Sequence, residues 1–513
     1  SYMPPCSACG TVGRSPLESV FAKSYGYSLF FHHFPRPIFA LVLLYRICYD
    51  MSTAILQGNT YIIRKDFIMN CSINQRFTPW SLLKFAAPSI VMMMFMSLYT
   101  IIDGIFVSRF VGSNALSSLN IVYPVINVVV ATATMLATGG NAIISKTLGQ
   151  GNTKLANEYL TFFVTVGVAV SIVLLILTQI FQTRLSLFLG ANEVLLDDCK
   201  KYLSISMLFA PACMLQSLFQ SYLVTAGHPR LGLALTMGAG ILNATLDYVF
   251  IVGFDLGISG AALATGIGQS VPAVAGLLFF LFSRKTLYFT RFSVNCKVLA
   301  NACYNGSSEM ISQLSNAVVT FLFNIILMRL AGAPGVAAIT IILYGQFLFN
   351  AFYLGFSIGI SPIVGFQYGA RNKTELKKVY KISFLFVAAS SVVLALAAYF
   401  LSTPVVTVFT TDPVTLSLSI TGFQIFAINF LFSGFNICSS GFFTALSNGK
   451  ISAMISFSRT FVFTVLSLLI LPQFFKLGGV WAAIPVAEFC TMLFSGGMHV
   501  KYFHRAGKQN YFM

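Results

Sequence analysis

The stretch LLKFAAPSIVMMMFMSLYTIIDGIFVSRF, residues 82–110, decides the fold class. It is apolar over the length that a helix needs to cross roughly 30 Å of hydrocarbon, and similar stretches recur from there to the C-terminus. The whole chain is 57% hydrophobic and 9% charged, with a mean hydropathy of +0.82. A soluble core could not bury this much apolar surface, so the sequence predicts an all-α polytopic membrane protein.

The formal net charge of +17 could suggest a nucleic-acid partner, but the basic residues lie in short clusters between the apolar stretches. We therefore expect the lipid bilayer, and no nucleic acid, as a partner. The 10 cysteines are scattered, several of them inside apolar stretches, and predict no structural disulfide. Cys6 and Cys9 form one CxxC without a second pair of ligands, so no metal or other cofactor is predicted there.

Hydropathy, with breaks at glycine, proline and charged clusters, predicts twelve transmembrane spans. The loops after even-numbered spans hold most of the Lys and Arg residues, among them Lys146, Arg230, Arg284, Lys378 and Lys450. By the positive-inside rule both termini are expected in the cytoplasm. The predicted spans are residues 82–110, 120–144, 159–181, 202–224, 231–252, 260–282, 306–330, 336–364, 379–401, 421–446, 451–475 and 482–502.

Residues 1–75 differ from the rest, because they are more polar and contain no apolar stretch that is long enough to span. We predict an N-terminal extension there that is poorly structured or lies on the membrane surface, with Met69 as the expected natural start. Residues 76–290 are then expected to form an N-lobe with spans 1–6. Residues 291–513 are expected to form a C-lobe with spans 7–12 and a short basic tail.

The two halves repeat each other at an offset of 220 residues. This offset superposes Gly112 on Gly332, Gly139 on Gly359, Gly149 on Gly369, Asn152 on Asn372 and Arg230 on Lys450. Six spans per half is an even number, so both halves enter from the same side and the repeat is parallel, with its axis along the membrane normal. Such a duplication favours a transporter that binds its substrate between two lobes over a receptor or an enzyme.

Asp103 in span 1, Asp247 in span 5 and Thr265 in span 6 are predicted at one depth, roughly 8 to 10 Å below the outer surface. Tyr99 and Asn243 each precede one of these carboxylates by four residues and share its helical face. Carboxylate, hydroxyl and amide oxygens suit a proton or a sodium ion, which is the only metal that we predict. The five residues therefore form a predicted cation-coupling site. The alternative is that Asn243 and Asp247 only brace the helix bundle through hydrogen bonds.

Glu309, Glu488 and Met96 are further candidates, as residues of a substrate cleft. Glu309 is predicted at the cytoplasmic start of span 7, where a helix N-terminus would stabilise a carboxylate equally well. Glu488 would either pair with Arg459 of span 11 or bind a cationic drug. Met96 belongs to a Met- and Phe-rich stripe that is mostly packing, but it would form an adaptable apolar wall where it faces the cleft.

Four pieces of the sequence together carry a resemblance. They are Pro88 followed by Tyr99 and Asp103, the segment ATGGNAIISKTLGQGN at residues 137–152, the pair Asn243 and Asp247, and GAALAT at residues 260–265. At these residues the chain resembles the multidrug and toxic compound extrusion (MATE) family, particularly its bacterial and archaeal DinF-like and MepA-like members, over residues 77–504.

The resemblance implies an inner-membrane exporter whose N-lobe pocket takes part in cation coupling, with Pro88 permitting the first helix to bend. Two departures limit what it implies. The sequence reads LSNAVVT where the sodium-coupled NorM-like branch has a glutamate in span 7, and residues 1–68 lie outside the family pattern.

The resulting prediction is a multidrug efflux antiporter, a monomer without a cofactor in the bacterial or archaeal plasma membrane. It would export small organic, often cationic, molecules in exchange for protons or sodium by alternating access. The nearest alternative is a lipid-linked oligosaccharide or polysaccharide flippase of the same superfamily, whose cleft usually carries basic residues. A non-transporting membrane receptor is the alternative from another class, and it would need neither duplicated lobes nor buried acids. No HExxH or GxSxG motif favours an enzyme.

Overall fold

The computed structural model describes residues 75–111, 113–283, 287–410, 412–504 and 511, all of whose regular structure is helical. Within these residues, 9 helices are long and apolar enough to cross a membrane, and the bent pair Leu196–Leu208 and Ala210–Thr225 forms a tenth span. Two of the nine are double, because Cys296–Gly369 is broken at Gly332 and Gly449–Phe503 at Lys476. The described residues thus form twelve spans, which confirms the predicted number and the all-α class.

The spans follow one another in chain order. Spans 1 to 6 are Pro79–Phe106, Ser113–Gly149, Thr153–Phe188, the bent pair, Pro229–Asp247 and Gly257–Phe282. Spans 7, 8 and 9 are residues 296–331, residues 333–369 and Lys373–Phe400. Span 10 consists of Pro413–Phe426 and Phe430–Ala445, and spans 11 and 12 are residues 449–475 and 477–499. A short helix, Ser402–Phe409, which the sequence did not predict, precedes span 10. The predicted extension lies outside the described residues, apart from residue 75.

Every span begins earlier than hydropathy predicts, and in spans 4, 7 and 10 the cause is a polar first turn that belongs to the helix. Span 7 begins at Cys296 instead of residue 306, and the Asn295 side chain caps it by accepting two backbone N–H groups. Span 10 begins at Pro413 instead of residue 421, capped by Asp412. Span 4 begins at Leu196 instead of residue 202, with two aspartates in its first turn that favour the positive end of the helix dipole.

Equivalent positions of the two halves have the same local structure. Asn152 caps span 3 and Asn372 caps span 9, each by accepting the backbone N–H three residues later. Span 4 is broken at Phe209 and span 10 at Ala427–Asn429, again 220 residues apart. The lobes are therefore related by the predicted parallel repeat. Gly332 has a φ of +65°, at the break between spans 7 and 8, whereas its predicted counterpart Gly112 lies outside the described residues.

The two lobes touch backbone to backbone at the end of the bundle that carries the basic loops, which we call the basic end. A Cβ atom at Gly149 would lie 2.0 Å from a carbonyl oxygen of span 8, and one at Gly369 would lie 2.0 Å from a carbonyl oxygen of span 2. Asn141 Nδ2 donates to Ser361 Oγ at 3.4 Å, a contact between positions 220 residues apart. Only glycine permits this approach, so the lobes are closed against each other at the basic end.

Span 1 divides its packing between the two lobes. At the basic end Phe77, Leu82 and Phe85 are fully or almost fully buried in a cluster built almost wholly from C-lobe residues. Further along, Tyr99 packs against span 5 of the N-lobe. Pro88 lies inside the helix between these two parts, where it removes one backbone hydrogen bond. The predicted N-lobe begins at residue 76 in the sequence, but the start of span 1 packs with the C-lobe.

Candidate functional site

The predicted cation-coupling site is centred on two carboxyl groups that meet inside the N-lobe. The side chains of Asp103 and Asp247 lie within hydrogen-bonding reach of each other. Asp247 is fully buried, and Asp103 is half-buried. The expectation that spans 1 and 5 place these residues at a common depth is therefore matched by direct contact.

A change of helical geometry follows each aspartate. Asp247 is the last residue of its α-helix, and a π-helical turn, Tyr248–Gly253, continues the span. Asp103 lies in the last turn before Phe106, and the π-helical turn Val107–Val111 follows. Such π turns are rare and often occur at functional sites. Both carboxylates thus stand where the backbone hydrogen-bond ladder changes register.

Neutral polar groups surround the pair. Asn243 Nδ2 donates to Thr265 Oγ1 at 3.4 Å, which joins spans 5 and 6. The Tyr99 ring packs over Gly240, where an added Cβ would lie 3.1 Å from its Cδ1 atom. This close approach of span 1 to span 5 brings Tyr99 to within electrostatic range of Asp103. All five residues that the sequence proposed are thereby brought together.

Two residues of span 4 complete the site and were missed in the sequence. The Gln216 side chain lies within hydrogen-bonding reach of the Tyr99 hydroxyl, and Tyr202 interacts electrostatically with both aspartates. Gln216 is 3% exposed and Tyr202 is 7% exposed. A buried amide in an apolar span is itself a signal, because its burial costs free energy unless it is hydrogen-bonded.

Asp103 and Asp247 have no cationic partner in the described part of the chain. Neither of its two ion pairs involves Asp103 or Asp247. Apart from the contact between the two carboxyl groups, no donor of a described residue reaches Oδ1 of Asp103 or either oxygen of Asp247. Two carboxylates this close repel each other unless a proton or a metal cation lies between them. The site is therefore suited to bind one positive charge.

Glu488 in the C-lobe has the opposite environment. Its Oε1 atom forms an ion pair with Arg459 Nε at 2.7 Å, and its Oε2 atom accepts a hydrogen bond from Asn436 Nδ2, also at 2.7 Å. Asn436 in turn accepts from the hydroxyl of Ser495 at 2.9 Å. The pairing with Arg459, one of the two interpretations of Glu488, is thus present. A carboxylate held in this way has its charge already balanced.

Glu309 does not lie at a helix N-terminus, so that interpretation is wrong. Because Asn295 caps span 7 at Cys296, Glu309 stands inside the helix, three residues after Gly306. A Cβ atom at Gly306 would meet the backbone of span 2, so this side of span 7 faces the N-lobe. Glu309 is half-buried and lies within electrostatic range of Arg459. It therefore stands near the interface of the lobes, beside the Glu488 pair.

Met96 lies within the N-lobe rather than on an open wall. Its sulfur atom is 4.0 Å from Nε2 of Gln220 in span 4, and the same amide donates to Thr236 Oγ1 at 3.1 Å. Met96 is half-buried. Met96 precedes Asp103 by seven residues, so it lies about two helical turns towards the basic end from the aspartate pair.

A surface pocket of about 240 Å³ lies at the opposite end of the N-lobe from the basic end. Its lining includes Val111, which ends the π turn of span 1, and Gly257, which begins span 6. It also includes the acidic residues Asp198 and Asp255, together with Lys201. The pocket thus adjoins the outer ends of the two helices that carry Asp103 and Thr265, and it carries two carboxylates that would attract cations.

The chain is similar to known proteins over most of its length. The MatE family model matches residues 88–249 and 310–469, one segment in each lobe. Multidrug export protein MepA of Staphylococcus aureus (strain N315) is 22% identical over 425 residues, which are 80% of this chain and 91% of that protein. A crystal structure of MATE in complex with MaL6 superposes with a TM-score of 0.79 at 21% identity, covering 83% of this chain and 97% of that one.

A second solved structure with the same fold is a MOP superfamily transporter from Pyrococcus furiosus. It superposes with a TM-score of 0.77 at 21% identity, covering 83% of this chain and 97% of that one. That protein is described as having a binding pocket of reverse polarity that suggests a different function. Proteins of this fold therefore differ in the charge of their pockets, which makes the charges of the present site informative.

Proposed function

The chain belongs to the MATE family of membrane transporters, and from this membership we propose that it is a multidrug efflux antiporter that exports organic, often cationic, compounds. The prediction of a transporter instead of an enzyme agrees with this family. The export of drugs by the MepA relative supports the proposed substrate class. Protons or sodium ions are the proposed coupling ions.

The contact between Asp103 and Asp247 is the single observation that carries the proposal. Two buried carboxyl groups without a cationic partner among the described residues have a strong affinity for one positive charge. A proton fits between them, and a sodium ion would find further oxygen ligands at Asn243, Thr265 and Tyr99. These groups orient and desolvate the ion; the gradient supplies the driving force.

Alternating access requires that ion binding changes the packing of the lobes. The backbone contact at Gly149 and Gly369 closes the basic end, and the positive-inside rule places that end in the cytoplasm. A conformation closed at that end corresponds to the outward-facing state of the proposed cycle, in which Asp103 and Asp247 would take up an ion from outside. Neutralising their charge would remove the repulsion between spans 1 and 5, and bending of span 1 at Pro88 would transmit the change to the C-lobe, against which the start of span 1 packs.

The driving force of a single ion is sufficient to export a neutral solute. One proton that enters across 100 mV gains roughly 2.3 kcal/mol. At about 1.4 kcal/mol per tenfold, this supports roughly a fortyfold gradient of a neutral solute. A monomer in the bacterial or archaeal inner membrane, with one such site in its N-lobe, therefore suffices for export of a neutral solute.

Ion-dependent efflux of a fluorescent organic cation from everted vesicles tests the proposal. We expect efflux under a proton gradient or a sodium gradient, and collapse of that gradient should stop it. Comparison of the two gradients identifies the coupling ion. Absence of transport under both, with uptake of a lipid-linked sugar instead, would contradict multidrug export and favour the flippase. The carboxylates of the N-lobe site argue against an anionic sugar-phosphate cargo.

A further inference from the structure

The start of span 9 is densely basic, and its counterpart in the N-lobe is not. Between residues 371 and 381 the basic residues are Arg371, Lys373, Lys377, Lys378 and Lys381, against one acid, Glu375. The same positions of span 3, residues 151–161, carry only Lys154 and Glu158, which balance. The repeat gives the two helices the same cap and the same fold, so this excess of positive charge is not required by the architecture.

Span 9 has a buried face and an exposed face that carries lysines. Leu376, Val379 and Ser383 form the buried face of the helix. Lys377, Lys378 and Lys381 are exposed, as is Leu385 one turn further on, with 73% of its surface accessible. The same helical face thus passes from ammonium groups to an aliphatic side chain, as is typical of a helix that leaves the headgroup region and enters the hydrocarbon.

The start of span 1 stands beside this face. The backbone N–H of Phe77 donates to Oε2 of Glu375 at 3.4 Å. Phe77 and Leu82 pack in one cluster with Leu376 and Val379, so the first turns of spans 1 and 9 are held together. The two helices therefore start side by side, at the same level of the basic end.

Span 1 adds an aromatic ring and one further charge. Trp80 is 76% exposed, and Lys84, one turn later on the same helical face, is also exposed. A tryptophan at a water-facing site would be unfavourable, whereas an indole at the level of the lipid headgroups is common. Trp80, Lys84, Lys378 and Lys381 define what we call the interfacial patch.

We propose that the interfacial patch binds the phosphate headgroup of an anionic phospholipid in the leaflet at the basic end. The ammonium groups pair with the phosphate oxygens, and the Trp80 ring packs against the glycerol and the upper acyl chain. Clusters of basic residues beside a span attract anionic lipid, with each residue near the surface contributing about fivefold to the binding constant. A water-soluble acidic protein would leave Trp80 and Leu385 without apolar contacts, so a lipid fits the patch better.

Tryptophan fluorescence tests the proposal directly. The chain contains 2 Trp residues, and Trp481 is 2% exposed inside the C-lobe, so only Trp80 is open to lipid-borne quenchers. The full-length protein is reconstituted in phosphatidylcholine vesicles with a minor fraction of brominated phosphatidylglycerol, or with the same fraction of brominated phosphatidylcholine. We expect phosphatidylglycerol to quench with at least about a fivefold higher apparent binding constant. Trp80→Phe should remove the quenched component.

The matched variants carry equal charge losses at the same end. Lys84→Gln/Lys378→Gln/Lys381→Gln should reduce the preference for phosphatidylglycerol to near one. Lys154→Gln/Arg291→Gln/Lys297→Gln, which removes three exposed charges on the N-lobe side, should leave it unchanged. Equal quenching by both lipids in the unmodified protein, or equal loss of preference in both triple variants, would overturn the site. Loss of the preference on adding inorganic phosphate at constant ionic strength would also overturn it, since the patch would then bind soluble phosphate.

Discussion

Both lobes bury carboxylates, but they balance the charge in different ways. In the N-lobe, Asp103 and Asp247 face each other without a cationic partner among the described residues, whereas in the C-lobe Glu488 forms an ion pair with Arg459. An unpaired carboxylate pair can exchange an ion with the solvent, and a carboxylate paired with arginine cannot do so without breaking the pair. The lobes therefore share an architecture but divide their tasks.

The repeat does not carry these charged groups from one half to the other. At an offset of 220 residues, Phe323 and Ser467 occupy the places of Asp103 and Asp247. Uncharged contacts are retained: Gln220 donates to Thr236 in the N-lobe where the hydroxyls of Ser440 and Ser456 meet in the C-lobe. Duplication has thus preserved the helix packing while the ionisable residues diverged.

Removal of the N-lobe charges should have the largest effect on transport. Asp103→Asn or Asp247→Asn keeps the side-chain size but removes the group that binds the ion, so we expect gradient-driven efflux to fall to the level of protein-free vesicles. Folding and membrane insertion should be retained, because an amide cannot repel the remaining carboxylate. Efflux from everted vesicles is the measurement. Glu193→Gln, which changes an exposed acid of the same lobe, is the control. Wild-type rates for both mutants under proton and sodium gradients would make the carboxylates structural.

Breaking the C-lobe pair should instead reduce stability. Glu488→Gln leaves the Arg459 guanidinium buried beside a neutral group, which costs about 3 to 5 kcal/mol of unfolding free energy. Thermal unfolding in detergent should register this as a clearly lower Tm than that of Asp247→Asn. The double change Glu488→Gln/Arg459→Met, which removes both charges, should recover most of the loss. If Glu488→Gln were as stable as the unmodified protein, the two lobes would not differ in the way described.

Closure at the basic end should depend on the two interfacial glycines. Gly369→Ala places a methyl group against a carbonyl oxygen of span 2, and the overpacking costs about 1 to 3 kcal/mol. The closed arrangement should therefore lose roughly fivefold to a hundredfold in population. A cysteine introduced by Ser361→Cys lies at this contact, and mass spectrometry can follow its alkylation. In the Gly369→Ala background this cysteine should be alkylated faster by the same factor. Gly496→Ala, at a glycine with nothing within 4 Å of an added Cβ, serves as the control and should leave the rate unchanged.

The smallest effect is expected at the cap of span 10. Asp412 Oδ2 accepts the backbone N–H and the hydroxyl of Thr415, and these bonds hold the pKa of Asp412 below its ordinary value. Its stabilising contribution is therefore present above the unfolded pKa, about 3.9, and is lost as the pH falls through the lower folded value. Asn192, at the equivalent position of the N-lobe, accepts the backbone N–H of Leu195 in the turn before span 4, and its amide does not titrate.

Asp412→Asn should therefore place the same residue type at the two equivalent positions 192 and 412. Stability at neutral pH should change little, because asparagine caps as well as aspartate does. The small loss of Tm between pH 5 and pH 3 that Asp412 contributes should disappear in this variant. An unchanged acid dependence would mean that the Asp412 cap contributes nothing measurable.

The sequence predicted the number of spans and the repeat because both depend on long apolar stretches and on spacing. It misplaced the start of span 7 because hydropathy ignores capping: Asn295 begins the helix ten residues before the apolar stretch does. Glu309 was misplaced for the same reason. The break at Phe209 was missed because it has no proline or glycine of its own, only Pro211 two residues later.

The site could be predicted as far as helical faces and depth determine it. Spacing placed Tyr99 with Asp103, and Asn243 with Asp247. It could not select between the two partners of Glu488, because the contact with Arg459 depends on the angle between spans 11 and 12. Tyr202 and Gln216 were missed since nothing in the sequence states which face of span 4 turns towards spans 1 and 5.

The contact between Asn141 and Ser361 lies where the axis that relates the two repeats passes. Positions that are equivalent in two repeats can touch only on the axis that relates the repeats. The reciprocal approaches of Gly149 to span 8 and of Gly369 to span 2 form an isologous interface, the kind that joins the subunits of a symmetric homodimer. The single polypeptide thus retains the geometry of two identical six-helix subunits. Covalent linkage then freed each half to acquire its own charged residues, which no homodimer could have done.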